Sequence, residues 1–220
     1  MVFRNLFRRK GRTILTLVGI AIGVAASVAL GAVARGLRAG FAAMSQGSQA
    51  DLVLTQANAM SALLSSIDET VADELRTGPE VANVDGVLLS NALTGASSYL
   101  FLFGHDPEGF SVAHFRVVEG QGLADARAGQ GKPLLLGRRT AQSMGKQVGD
   151  SLRVTGSVFR IVGIYETGDG FEDGGAVVPL AEAQTLALQP RRVSMLYIKL
   201  DDPSEADRVQ ARIARRFPDL

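Results

Sequence analysis

Cysteine is absent from the 220 residues, which excludes a disulfide framework, a thiolate metal site and a cysteine nucleophile. Tryptophan is absent as well, and phenylalanine, with ten residues, dominates the aromatics. The core must therefore be built by burial of Leu, Val, Ile and Phe alone. Histidine occurs only as His105 and His114, with Asp106 beside the first. Zinc would need a third protein ligand and a closed geometry that this spacing does not announce, so both read as ordinary strand-end histidines. Acidic residues are missing from the N-terminal region, where the first is Asp51.

The cations are unevenly placed. Arg4, Arg8, Arg9, Lys10 and Arg12 form a basic arm, whereas the rest of the chain carries 18 basic against 22 acidic residues. No nucleic-acid footprint survives this division. The arm reads instead as a juxtamembrane anchor facing anionic lipid.

Motifs for chemistry fall short one by one. Gly145-Lys146 is followed by Gln147 and Gly131-Lys132 by Pro133, so the phosphate-loop pattern is not met. Gly95-Ala96-Ser97-Ser98-Tyr99 lacks the closing glycine of the hydrolase elbow and reads as a polar loop entering a strand. Asp169, Glu172 and Asp173 lack calcium-loop spacing and read as an exposed Gly-rich turn. Enzymatic activity, a cofactor and a bound metal are not expected.

From Thr13 to Ala34 the chain runs 22 residues without charge, between Arg12 and Arg35. At about 1.5 Å per residue such a helix reaches roughly 33 Å, enough to cross a hydrocarbon core of about 30 Å. Ala32-Val33-Ala34 also fits the A-x-A end of a cleaved signal peptide, but signal h-regions run only about 7 to 15 residues, and the length favours a retained anchor. Five cations before the run against Arg35 and Arg38 after it put the N-terminus inside. Gly19, Gly23, Ser27 and Gly31 recur every four residues and form a small-residue stripe where another helix can approach.

Beyond the membrane, Leu37, Phe41 and Met44 keep helical spacing to about Gln46, which predicts a stalk with an apolar stripe. Strands are expected at 51–56, 81–89, 98–104, 115–119, 134–137, 151–155, 159–166 and 194–200, with an edge strand at 176–178. Helices are expected at 68–76, 138–144, 180–188 and 204–216. A loop is expected over 58–66. The class is α+β: a basic arm at 1–12, a transmembrane helix at 13–34 and a stalk at 35–48. An inner α+β subdomain at 49–106 and 190–220 then holds an inserted β-rich subdomain at 107–189.

Three segments together resemble a known family. Arg4-Asn5-Leu6-Phe7-Arg8-Arg9-Lys10-Gly11-Arg12-Thr13-Ile14-Leu15-Thr16, running into Gly19-Ile20-Ala21-Ile22-Gly23-Val24, is similar to the opening of MacB/FtsX-type ABC transporter permeases. Leu134-Leu135-Leu136-Gly137-Arg138-Arg139-Thr140-Ala141 and Val148-Gly149-Asp150-Ser151-Leu152 resemble a block of their periplasmic core domain. Phe159-Arg160-Ile161-Val162-Gly163-Ile164-Tyr165-Glu166-Thr167-Gly168, with Val178-Pro179-Leu180 and Ala183-Gln184, resembles a third and more specific block.

The resemblance implies a first transmembrane helix, a stalk acting as a lever, and a periplasmic domain of two subdomains, the outer inserted in the inner. It implies a homo- or heterodimer of permease subunits, a separate cytoplasmic ABC ATPase, and a periplasmic adaptor or carrier protein as partners. It also implies that the closing and opening of the ATPase pass to the periplasmic side as mechanical work, for export or lipoprotein handling, rather than that substrate is conducted through the membrane. Family members continue into three further transmembrane helices, so a chain ending at Leu220 reads as the N-terminal part of a permease. The alternative is a single-span membrane protein displaying a binding, sensory or assembly module.

Overall fold

The computed structural model describes residues 10–47, 49–95, 98–126 and 131–220. The chain divides into two compact units, Met1–Phe41 and Ala42–Leu220. Helix α1 spans Lys10–Gly47, 38 residues, or about 57 Å at 1.5 Å per residue. No proline interrupts it, because the first in the chain is Pro79. Its stretch Ile14–Gly36 is long and apolar enough to cross a membrane, and none of it is buried inside the structure.

The second unit begins with β1 (Leu52–Leu54), β2 (Ile67–Asp68), α2 (Glu69–Arg76), β3 (Val81–Leu93) and β4 (Tyr99–His105). It continues with β5 (Arg116–Gly120), β6 (Lys132–Gly137), α3 (Arg138–Met144), β7 (Ser151–Val154) and β8 (Ser157–Glu166). It closes with β9 (Gly175–Pro179), α4 (Leu180–Ala187), β10 (Arg192–Val193), β11 (Met195–Leu200) and α5 (Ala206–Arg216). Among the described residues the main sheet has the order β1-β11-β3-β4-β9-β6-β8-β5, with β7 added to β8, while β10 pairs with β2 separately. The β4–β9 and β6–β8 pairs are parallel. The α+β class read from the sequence is the observed one.

Strand β3 organises the sheet. Its first part, Val81 to Val87, pairs with β11, and its second, Leu88 to Leu93, pairs with β4. One apolar cluster gathers Val84, Leu196, Ile198, Val209 and Ile213 around the first part. Another gathers Leu88, Leu102, Leu134, Phe159 and Ile161 around the second. Leu180, the first residue of α4, packs against both. Full burial of side chains such as Val209 and Ile213 stabilises by about 1.5–3 kcal/mol each.

Local chemistry sets the helix ends. The Asp68 carboxylate accepts hydrogen bonds from the Thr70 N–H at 3.0 Å and the Thr70 hydroxyl at 2.7 Å, capping α2. These bonds hold its pKa below the usual aspartate value. Gly145 ends α3 in the left-handed conformation, φ 61°, the geometry that glycine adopts without a Cβ penalty. Gly104 lets α4 lie directly on β4, since a Cβ there would overlap Ala183.

Three expectations need correction. The segment at 176–178 is not an edge strand: β9 lies between β4 and β6, with Gly175 to Val178 buried. Its continuous apolar run is the mark of a strand covered on both faces. The helix expected from Ser204 starts at Ala206, after a 3₁₀ turn at Pro203–Glu205 whose cap is Asp202. Strand β3 also extends past residue 89 to Leu93, because β4 and the neighbouring sheet supply partners that local pattern does not reveal.

Candidate functional site

Two regions concentrate the features that composition and spacing singled out. The first is α1. Gly19, Gly23, Ser27 and Gly31 all lie on this helix. Among the described residues, a Cβ built at Gly19 or Gly23 meets nothing within 4 Å, so backbone is open to close approach at these positions of the stripe. The Ser27 hydroxyl donates to the Gly23 carbonyl at 2.9 Å, which satisfies it within the helix. Leu37, Phe41 and Met44 belong to the backbone of α1, and their side chains lie outside the described residues. Arg4, Arg8 and Arg9 of the basic arm lie outside the described residues, as do the side chains of Lys10 and Arg12. Ser97 lies outside them too.

The second region is a buried polar centre on the face of the sheet opposite the large apolar clusters. It joins the two segments read separately as strand-end histidines and an exposed acidic turn. His105 ends β4 with 1% of its surface accessible, and its Nδ1 lies 3.0 Å from the Ser111 hydroxyl. The 3₁₀ turn Phe110–His114 carries His114 onto the Ser111 carbonyl, 2.5 Å from its Nδ1. Nε2 of His114 meets the Glu172 carboxylate at 3.1 Å. Their side chains are 7% and 3% exposed.

The expectation of an exposed turn at 168–175 is thus overturned, since Glu172 and Asp173 are buried. Their carboxylates are used internally. Asp173 accepts from the Thr167 N–H at 2.8 Å and the Thr167 hydroxyl at 3.1 Å. Asp169 accepts from the N–H groups of Phe171 and Glu172 at 2.7 and 3.2 Å. Tyr165 donates its hydroxyl to the Glu172 carbonyl at 2.5 Å. Burial, with the nearby Glu172 and Asp173 charges, pushes the Tyr165 phenol well above the usual value and keeps it a donor. On the sheet, Asp85 accepts from the Ser111 N–H at 2.8 Å.

Aromatic rings pack around this network. Phe115 lies 3.9 Å from His114, 5.1 Å from His105 and 5.0 Å from Tyr165, centroid to centroid. Burial, reinforced by His114, lowers the His105 pKa to about 3, so this ring stays neutral at ordinary pH. Its Nε2 is buried without a hydrogen-bond partner among the described residues.

Chemically the centre ties β3, β4 and the two 3₁₀ turns together through buried hydrogen bonds. Asp169 and Asp173 hold their own loop, Glu172 meets His114 and Asp85 holds the turn at Ser111, and no group of three His, Cys, Asp or Glu residues able to hold a metal occurs among the described residues. Sequence reasoning missed Ser111, Tyr165 and Asp85, together with the pairing of His114 and Glu172, 58 residues apart. The available signal was His105 closing an apolar strand.

The fold has solved counterparts. The extracellular domain of the noncanonic ABC-type transporter YknZ from Gram-positive bacteria matches with a TM-score of 0.58 at 16% identity, over 76% of this chain and 91% of that one. The periplasmic region of MacB from Actinobacillus actinomycetemcomitans matches with a TM-score of 0.59 at 12% identity, over 74% and 80%. No curated protein matches the sequence. The family described as MacB-like periplasmic core domain matches residues 13–216. With nearly the whole length matched, in a fold shared with these extracytoplasmic domains, the chain belongs to the MacB-like periplasmic core domain family.

Proposed function

We propose that this chain serves as a permease subunit of a MacB/FtsX-type ABC transporter, anchored by α1 and displaying its second unit outside the cytoplasm. The observation that carries the reading is the pairing, within one family match, of an apolar helix long enough to span a bilayer with a MacB-like core domain. The basic arm before the helix favours a cytoplasmic N-terminus. A separate cytoplasmic ATPase supplies the chemistry, and the chain has no catalysis of its own.

In this reading two permease subunits pack in the membrane, with Gly19, Gly23, Ser27 and Gly31 at a helix-helix contact. The helix is continuous from Lys10 to Gly47, which suits the stalk to passing ATPase-driven motion to the outer domain. That motion serves export or lipoprotein handling with a periplasmic adaptor or carrier protein.

The absence of native cysteine makes the orientation directly testable. Single cysteines are introduced at Asn5 and at Tyr99 and treated in intact cells with a membrane-impermeant maleimide. Labelling at Tyr99→Cys alone supports the orientation, and labelling at Asn5→Cys alone overturns it. Co-purification of a cytoplasmic ATPase subunit with the tagged chain tests the transporter role. Failure to recover any ATPase from the native membrane would refute it.

A further inference from the structure

A cleft of about 760 Å³ opens at the outer end of the β3–β4 hairpin, between it, α3 and β7. This volume falls in the range of about 300–1,000 Å³ typical of small-molecule sites. Its walls combine two kinds of surface. Tyr99, Leu100, Met144 and Leu152 supply the apolar part, and Lys146 and Arg153 supply charge. Among the described residues that line it, no acidic side chain balances these cations.

The cations are set by the backbone. Lys146 follows the left-handed Gly145 that ends α3, and its Nζ donates to the Ser151 carbonyl at 3.1 Å. The Arg153 carbonyl accepts from the Gly95 N–H at 3.2 Å. Both carbonyls are therefore turned away from β8, the strand that β7 pairs with. Within a strand the N–H of a residue points to the same side as its C=O, so the N–H groups of Ser151 and Arg153 face the cleft side too. The Arg153 guanidinium has neither an ion pair nor a hydrogen bond among the described residues. Ser98 and Ser143 add hydroxyls to the rim.

Tyr99 is 76% exposed although it begins a strand. An exposed ring, a guanidinium without a partner among the described residues, and apolar side chains lining one cleft present surfaces for a tail and an anionic head.

We propose that this cleft binds an anionic amphiphile, a molecule bearing a phosphate or carboxylate on an alkyl or acyl chain. The head is held by Lys146 and Arg153, and the chain lies over Leu100, Met144 and Leu152 against the Tyr99 ring. An Arg guanidinium matches the planar or tetrahedral oxygens of such heads by paired N–H donors. The apolar walls add affinity that a bare anion lacks. The inference stands independently of the transporter role, since it concerns only what the outer unit binds.

The chain contains no tryptophan, so Tyr99→Trp places a unique fluorophore in the cleft. The variant of the 220-residue chain is reconstituted in phosphatidylcholine nanodiscs and titrated with decyl phosphate, decanoate, inorganic phosphate or octyl glucoside. Saturable emission changes with decyl phosphate and decanoate, weakened at least tenfold by adding Lys146→Gln and Arg153→Gln, are expected. Inorganic phosphate and octyl glucoside should give none. Replacing phosphatidylcholine by phosphatidylglycerol, with no soluble ligand, distinguishes a lipid source: a charge-dependent shift in this arm identifies a membrane lipid, and its absence beside a decyl phosphate response identifies a free amphiphile. Equal responses to octyl glucoside and decyl phosphate, or responses unchanged by the double substitution while circular dichroism shows the fold intact, would overturn the proposal. So would no saturable response in any arm.

Discussion

The Ser194 hydroxyl bonds both backbone groups of Leu89: it accepts from the Leu89 N–H at 3.1 Å and lies 3.3 Å from the Leu89 carbonyl, to which it donates. Leu89 sits just where β3 passes from pairing with β11 to pairing with β4. A side chain thus continues the ladder for one residue beyond the end of β11. The two positions are 105 residues apart, and both are buried.

Ser194→Ala should leave the Leu89 N–H and carbonyl buried without partners. An unsatisfied buried polar group costs about 1–3 kcal/mol, so a loss in this range is expected in urea unfolding of the full chain, with the secondary structure unchanged at zero denaturant. A loss below about 0.3 kcal/mol would mean that water or a shifted strand replaces the hydroxyl.

Acid should destabilise the second unit through His105. Its native pKa is lowered to about 3 from 6.5 by burial and by His114. Between those values the unfolded chain binds a proton at this position and the native one does not, so stability rises with pH and falls as pH drops below 6.5. The loss approaches about 1.4 kcal/mol per pH unit from this group alone. Chemical denaturation at pH 7, 6 and 5 should show a shallower decline for His105→Leu than for the parent.

Removal of His114 should be costly. His114→Ala leaves the Glu172 carboxylate, 3% exposed, without its ring partner. Leaving a buried polar group without its hydrogen-bond partner costs about 1–3 kcal/mol, and more for a charged one. Amide exchange should then rise in the 3₁₀ turns at Phe110–His114 and Glu172–Gly174. The double variant His114→Ala/Glu172→Leu should recover part of the loss, which distinguishes an unpartnered buried carboxyl group from lost packing.

The stripe on α1 predicts a different separation. Gly23→Ile or Gly19→Ile fills a face where a Cβ meets nothing within 4 Å among the described residues, so thermal unfolding of the second unit should be unchanged. Disulfide trapping between subunits through cysteines placed at Ser27, and transport by the assembled system, should both fall. Normal transport by both variants would remove the stripe from the mechanism.

Much was legible from local sequence because its causes are local. The uncharged run between Arg12 and Arg35, the Gly145 stop after Arg138 to Met144, and the Val209 and Ile213 face of α5 follow from periodicity and capping within a few residues. The α+β class and the family blocks were legible for the same reason, since each depends on contiguous residues. Tertiary structure alone decided the rest. It made β9 a central strand, buried Glu172 and Asp173, and brought His114 to Glu172 and Ser194 to Leu89. A carboxylate or histidine has the same local signature whether exposed or buried. Its environment is set by which distant strand covers it, and that choice belongs to the packing of the whole sheet.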